Sequence, residues 1–419
     1  MFGCGGAWGV GPNWPATRRA TVLWSVKTAE ILAHTTRLRR GMLTTTELNS
    51  VDDFDQIREA WHRLWEQTPQ ATFFQTPEWI ETAWKHFPDP QKLRVILVER
   101  HGEPIGIVPL CVRMMRRKVG TLRMLTYPLN DWGTFYGPIS PRPATAFRAA
   151  LRHVRRTPRD WDMIDFCWVD EAATEFIDVG LAMREAGFSY VSRPRMEVRI
   201  CHIDGNWEAF VAAKSHNWRR QMRRDLQQLE SVGDVRMVRY RPEPGSAGTE
   251  PEHFELYQLC EQVAKRSWQA DVRLEGTLSS PRVRKVLLPL HRQAAALGML
   301  DVAVLMVGDR PASFFYNYVA RGHVYGLRMG YDPAKELASA GKILLYKMIE
   351  DSFQRGDCEY CFGSGRQHYK DRFATETRHA YSFCHYGRRS VKSQLLRMRE
   401  QVYSRLMTPQ AVVEKGLVT

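Results

Sequence analysis

Ser339-Ala340-Gly341-Lys342 is a run of small residues closed by a lysine, and it opens an apolar-periodic segment that reaches Phe353. In the first turn of a helix the backbone N–H groups have no intrahelical partner and sit at the positive end of the dipole, where small side chains leave them approachable. Lys342 adds a compact positive charge at the same point. Such a turn can grip a phosphate. Ser339, Ala340, Gly341 and Lys342 are therefore the expected binding residues for a phosphorylated carrier, with Arg328 on the preceding strand as their companion. Asp332, in the connection between the two, is an expected substrate contact.

A second group of residues suits proton handling. Tyr369 and Lys370 follow the turn Gly363-Ser364-Gly365. A tyrosine hydroxyl can return a proton to a leaving group, and an ammonium can steady a developing oxyanion. His323, Tyr325, Leu327 and Met329 alternate onto one strand face, where a His or Tyr can look into a cleft. Tyr325 thus joins Tyr369 and Lys370 as an expected catalytic residue. Arg366, just before Tyr369, is an expected substrate contact, and so are Asp131, Trp132 and Tyr136 of the loop that begins at Asn130. Aromatic faces there can stack on sugars while Asp131 bonds hydroxyls. Cys358 and Cys361 have the Cys-x-x-Cys spacing of zinc sites. Their three-residue offset on a strand sends them to opposite faces, so no metal is expected.

The elements that must position these groups repeat. Strand-like runs at Leu93 to Val98, Ile105 to Val112 and Leu122 to Tyr127 precede a helix at Ala144 to Val154 and a strand at Met163 to Val169. The same order returns with strands at Leu300 to Val307, Ala312 to Ala320 and His323 to Met329, a helix at Lys342 to Phe353 and a strand at Glu359 to Phe362. The order predicts a diverged tandem duplication of one α/β unit with mixed sheets, 42–205 and 206–388. Residues 1–41, Gly-rich and ending in Arg37-Leu38-Arg39-Arg40, are expected to be a disordered extension, with Met42 as an alternative start. Residues 389–419 are expected to be an amphipathic tail, with Val391, Leu395, Met398, Val402 and Leu406 at helical spacing among arginines. A second basic helix is expected from Ser215 to Leu229, its apolar stripe Trp218, Met222, Leu226 and Leu229 opposite Arg219, Arg220, Arg223 and Arg224.

At 419 residues two domains are expected. No apolar run approaches the length of a membrane span. The eight cysteines are scattered, several of them inside apolar runs, as buried thiols of a reducing cytoplasm would be. The net charge of +14 favours anionic partners.

Four stretches in this order resemble the GNAT acyltransferase superfamily: the basic helix Ser215 to Arg224, the hairpin Gly308 to Phe315, Gly330-Tyr331-Asp332-Pro333 with Ser339 to Lys342, and Phe362-Gly363-Ser364-Gly365 with Tyr369-Lys370-Asp371-Arg372-Phe373. Within it the chain looks like the CelD/BcsL-like bacterial branch, related to Fem-type peptidyl transferases. The resemblance implies a splayed strand pair that admits an acyl carrier, with acetyl-CoA or another acyl-CoA as co-substrate. It implies an acyl group passed to an amine, on a sugar nucleotide or exopolysaccharide precursor, in the cytoplasm. A functional lysine in this region of Fem-type relatives is what selects Lys370. Two alternatives stand beside this reading: an aminoacyl-tRNA donor, the one case with a nucleic-acid partner, and a non-catalytic scaffold of polysaccharide synthesis. An anionic membrane surface is a further expected contact, through the tail. The chain departs from the family in its phosphate loops. Only Ala340-Gly341-Lys342 remains of the longer motif, and the first half carries Ser140-Pro141-Arg142-Pro143, whose prolines lack N–H donors. The carrier is therefore expected in the second unit, and the first is expected to be a degenerate partner that shapes the acceptor cleft.

Overall fold

Turn chemistry and strand pattern together set the register of each half. The His101-Gly102 and Arg321-Gly322 turns both have positive φ at each residue (55 and 82, 51 and 74), the left-handed geometry that matches the twist of two-residue hairpins. The computed structural model describes residues 43–406, except 88–90, 130–131, 174–175, 244, 246–250, 268–269, 271–276, 279 and 365–367. The expected extension, Met42, Asp131, Arg366 and the end of the tail lie outside the described residues.

The first unit runs β1 (Leu43–Leu48), α1 (Arg58–Gln67), α2 (Pro77–His86), β2 (Gln91–Arg100), β3 (Glu103–Arg117), β4 (Gly120–Thr126), α3 (Pro143–Arg156), β5 (Met163–Asp170), α4 (Phe176–Glu185) and β6 (Val191–His202). After two helices, α5 (Trp207–Ala212) and α6 (His216–Glu230), the order repeats. It reads β7 (Val235–Tyr240), α7 (Pro251–Arg266), α8 (Pro281–Ala296), β8 (Leu300–Val307), β9 (Arg310–Ala320), β10 (His323–Tyr331), α9 (Ala340–Arg355), β11 (Glu359–Ser364), α10 (His368–Asp371) and β12 (Glu376–Tyr386). A last helix, α11 (Val391–Leu406), follows.

All strands join one mixed 12-stranded sheet in the order β1-β2-β3-β4-β5-β12-β6-β11-β10-β9-β8-β7. Matched strand for strand, this order reads the same from either end, as a duplication requires. The last strand of each unit has crossed over: β12 pairs antiparallel with β5, β6 pairs antiparallel with β11, and β6 and β12 pair with each other at the centre. Each unit thus completes the sheet of the other. Parallel pairing occurs at β4/β5 and β10/β11, each over three residues. Beyond Tyr325 and Cys361 the second pair separates, with a bulge in β10 between Gly326 and Arg328. This is the splay that the resemblance implies.

The splay begins at a close backbone approach. Gly363 has φ +70, and a Cβ there would lie 2.5 Å from the Gly326 carbonyl oxygen. Gly363→Ala should therefore destabilise the fold by about 1–3 kcal/mol, read as a lower denaturation midpoint. An unchanged midpoint would show that the strand pair has room to give.

One apolar core spans both halves. Phe73 and Phe74 pack on Tyr318 of β9 with ring centroids 4.5 and 5.5 Å away. Arg321 reaches back to the carbonyl end of α1, donating to Trp65 O (2.9 Å), Thr68 O (2.7 Å) and Glu66 O, with its guanidinium 4.9 Å over the Trp65 ring. A cation at a helix C-terminus satisfies carbonyls that have no helical partner. On the other face of the sheet α9 buries Ile343, Leu344 and Met348 against Leu305, Phe315 and Val324. Seven described cysteines are free thiols, six of them buried. Cys358 is exposed and Cys361 buried, as their strand offset predicts.

Candidate active site

The expected carrier loop is already occupied by the chain itself. Ser339 precedes α9 without capping it through its side chain; its hydroxyl instead donates to Asp225 Oδ1 at 3.0 Å. The Lys342 ammonium forms an ion pair with the same carboxylate. Gln221 adds a third contact, at 3.0 Å. Asp225 comes from α6 and is only 4% exposed. Lys342, expected to add its charge to backbone N–H groups at a carrier phosphate, and Ser339 beside it instead hold an aspartate. A signal for this lay in the sequence: Asp225 falls three residues after Met222, on the face that also buries Trp218 and Leu229. A carboxylate on an apolar helix face needs a partner.

Arg328 is not with that loop. By strand pairing it lies opposite Tyr316, on the sheet face away from α9, and its guanidinium stands 5.2 Å over the Trp132 ring. Trp132 is itself 8% exposed and packs edge-on against Phe87, so it serves packing rather than an open sugar-stacking lip. Asp332 is likewise spent on structure. It accepts from Arg266 and Arg310, each at 2.8 Å, and from the Ala334 N–H at 3.1 Å. Burial works against its charge, but these donors hold its carboxyl below the usual range.

The three expected catalytic residues fall in two places. Lys370 is 3% exposed and donates to Gly363 O at 3.4 Å, beside the splay; burial pushes its pKa down to about 8. Tyr369 packs with the core on the α9 side, and its buried hydroxyl has no protein partner. Tyr325 belongs to the core on the opposite face and lines a different space.

That space is a cleft where the end of the β4/β5 pair meets the beginning of the β10/β11 pair. Tyr127, Tyr136, His323 and Tyr325 line it, Tyr136 being one of the residues expected to touch an acceptor. The Tyr127 and Tyr136 rings lie 5.0 Å apart, and both hydroxyls are buried without a protein partner. Such groups want a ligand or an ordered water. Pro143 at the start of α3 forms part of the wall.

The floor of the cleft is charged. Arg378 donates to Glu359 (3.0 and 3.3 Å), to Asp170 (3.3 Å) and to Glu376 (2.8 Å). His202 Nε2 lies 2.6 Å from Glu376, and His323 Nδ1 lies 4.0 Å from Glu359. Burial pushes the Asp170 carboxyl up to about 6, against the pull of the Ala172 N–H and Arg378. At Glu359 burial is overridden by His323 and Arg378, which hold it below the usual range. One carboxyl is thus poised to trade a proton near neutrality beside one that stays ionised, an arrangement suited to acid–base chemistry. The crossover of β12 makes this cluster, since it inserts Arg378 between the last residue of β5 and the first of β11. Asp170, Glu359, Arg378 and Tyr127 were not anticipated, because their meeting depends on that crossover. No group of three His, Cys, Asp or Glu suited to a metal occurs among the described residues.

Residues 216–371, from α6 to the end of α10, match the family described as Acetyltransferase (GNAT) domain. Among solved structures, one titled as FemX is similar at 12% identity and a TM-score of 0.55, over 85% of this chain and all (100%) of that one. The C-terminal DUF2156 domain of a putative lysylphosphatidylglycerol synthetase from Agrobacterium fabrum is similar at 10% identity and a TM-score of 0.51, over 83% and 96%. At these identities the likeness is one of fold. Compared with curated proteins, the chain finds no match.

Proposed function

Because the chain carries a GNAT acetyltransferase domain across residues 216–371, we propose that it moves an acyl group from an activated carrier to an amine held in the central cleft. The observation that carries this reading is the Asp170 carboxyl, raised to about 6 by burial in a cleft with two unpartnered tyrosine hydroxyls. An amine attacks a thioester or ester as the free base, and its nitrogen must shed a proton as the N–C bond forms. Asp170 accepts it as the N–C bond forms; the C–S or C–O bond to the carrier then breaks, and the leaving group takes a proton from Tyr325 or solvent. Tyr127 and Tyr136 offer hydroxyls to a polar acceptor, which fits an amino sugar of a sugar nucleotide or exopolysaccharide precursor. The free buried thiols fit a cytoplasmic setting.

For the donor, the family match supports acyl-CoA, with acetyl-CoA as the first candidate. Asp225 favours a second reading. Its carboxylate pairs with Lys342 of the loop expected to grip a carrier, while Arg220, Arg223 and Arg224 are exposed on the same helix. A carrier gripped on that surface, such as aminoacyl-tRNA, would not need the loop. Titration calorimetry with acetyl-CoA, on the parent and on Asp225→Asn, separates the two. If the loop serves CoA, removing the carboxylate should tighten binding about tenfold or more. Tight parental binding that Asp225→Asn leaves unchanged would place the carrier elsewhere. Failure of both proteins to bind, with salt-sensitive binding of tRNA, would support the second reading. A folded chain that binds neither would count against transfer altogether.

A further inference from the structure

The last helix docks on its own domain by the face that its sequence did not advertise. Ser393 and Leu396 are 0% and 4% exposed, Leu396 packing with Leu122, Met124 and Met163. Glu400 accepts from Arg193 Nη1 at 2.9 Å and from the Tyr386 hydroxyl. The apolar stripe is left outside: Val391, Leu395, Met398 and Val402 are 74, 50, 61 and 55% exposed. At about 100° per residue these four fall on one line, about half a turn from Ser393, Leu396 and Glu400. The stripe therefore points directly away from the protein. Lys392 and Arg399 border it on one side, Arg397 stands exposed farther round the helix, and Arg388 and Arg389 stand exposed at its start. No described residue packs on it.

We propose that α11 seats this protein on an anionic membrane surface, lying in the plane of the headgroups. An outward apolar line with cations along its border and at its start is the arrangement of an interfacial helix. No described helix is long and apolar enough to cross a bilayer, so the contact is peripheral. Charge selects the occupant. A second copy docked stripe to stripe about a two-fold axis would bring two basic borders together, whereas anionic headgroups complement them.

The test is co-sedimentation of the full chain with phosphatidylcholine vesicles, with and without phosphatidylglycerol, at low and physiological salt. Binding is expected only with phosphatidylglycerol and should weaken with salt. Leu395→Ser/Met398→Ser should reduce it about tenfold or more, because the apolar insertion is lost. Both positions are exposed, so circular dichroism and melting should match the parent. Arg397→Gln/Arg399→Gln should weaken binding as well. The proposal is overturned if the parent does not bind phosphatidylglycerol vesicles. Binding that survives Leu395→Ser/Met398→Ser also overturns it, because the attraction then lies elsewhere on the basic surface. So does a dimer, seen by light scattering, that this variant dissociates, since the stripe would then belong to a second copy.

Discussion

Asp170→Asn should cut turnover about 10²- to 10⁴-fold, the range expected when a positioned proton acceptor is removed. The substitution keeps the size and the hydrogen-bonding reach of the side chain, so acceptor affinity should change far less than turnover. In the parent, kcat/KM should rise with pH through about 6 as Asp170 ionises, and that limb should disappear in the variant. Stability should move the other way. Burial raises the folded-state pKa above its unfolded value, so the native state holds this proton more tightly. The resulting stabilisation is full below about pH 4 and is lost as pH rises through about 6. At neutral pH Asp170→Asn should therefore melt no lower than the parent. A variant that folds as well and turns over as fast would remove Asp170 from the chemistry. If His323→Gln were the inactive one instead, the proton would go to the imidazole beside Glu359.

Arg239→Leu should cost about 3–5 kcal/mol of stability, because it strands a buried carboxylate. Arg239 forms a bidentate pair with Asp301 (2.8 and 2.9 Å) and also donates to Met348 O and Asp351 (2.9 and 2.8 Å). Asp301 is 0% exposed and also accepts from Asn317 Nδ2 at 3.2 Å. Burial opposes its charge, and Arg239 overrides that, holding its carboxyl below the usual range. The pair therefore stabilises the fold above the unfolded carboxylate pKa, and that contribution is lost as acid drives pH down through the lower folded value. Urea midpoints across pH should show the parent losing stability in acid more steeply than Arg239→Leu. Arg239→Leu/Asp301→Leu should recover much of the loss, since matched apolar groups replace both charges. A single variant that costs under about 1 kcal/mol would mean water reaches the pair.

The strands and helices nearest the site were legible because their signals are local. The run Leu300–Val307 is buried throughout, and the helix from Ala340 ends at Gly356 with φ +71, the left-handed cap that glycine favours. The duplication was legible from element order alone. The crossover was not, because nothing within β6 or β12 records which neighbour each will pair with. The cleft inherits that blindness: Asp170 and Arg378 stand 208 positions apart in sequence. The carrier loop was legible as a turn but not as a closed one, since its occupant sits on a separate helix. In the tail, spacing located the apolar stripe, whereas the docking face follows from Leu396 meeting a small core that only the folded sheet provides.

The exchanged strands set a timetable for synthesis. The first unit needs β12 against β5, and β12 spans residues 376–386. While the second half is being made, β5 presents an unpaired edge, and a long-range pairing must wait for nearly the whole chain to leave the ribosome. The nascent first half is thus a client for chaperones or for its own second half. Cutting the gene between the units would yield two fragments, each with a central edge open to aggregation, that regain the sheet only when expressed together.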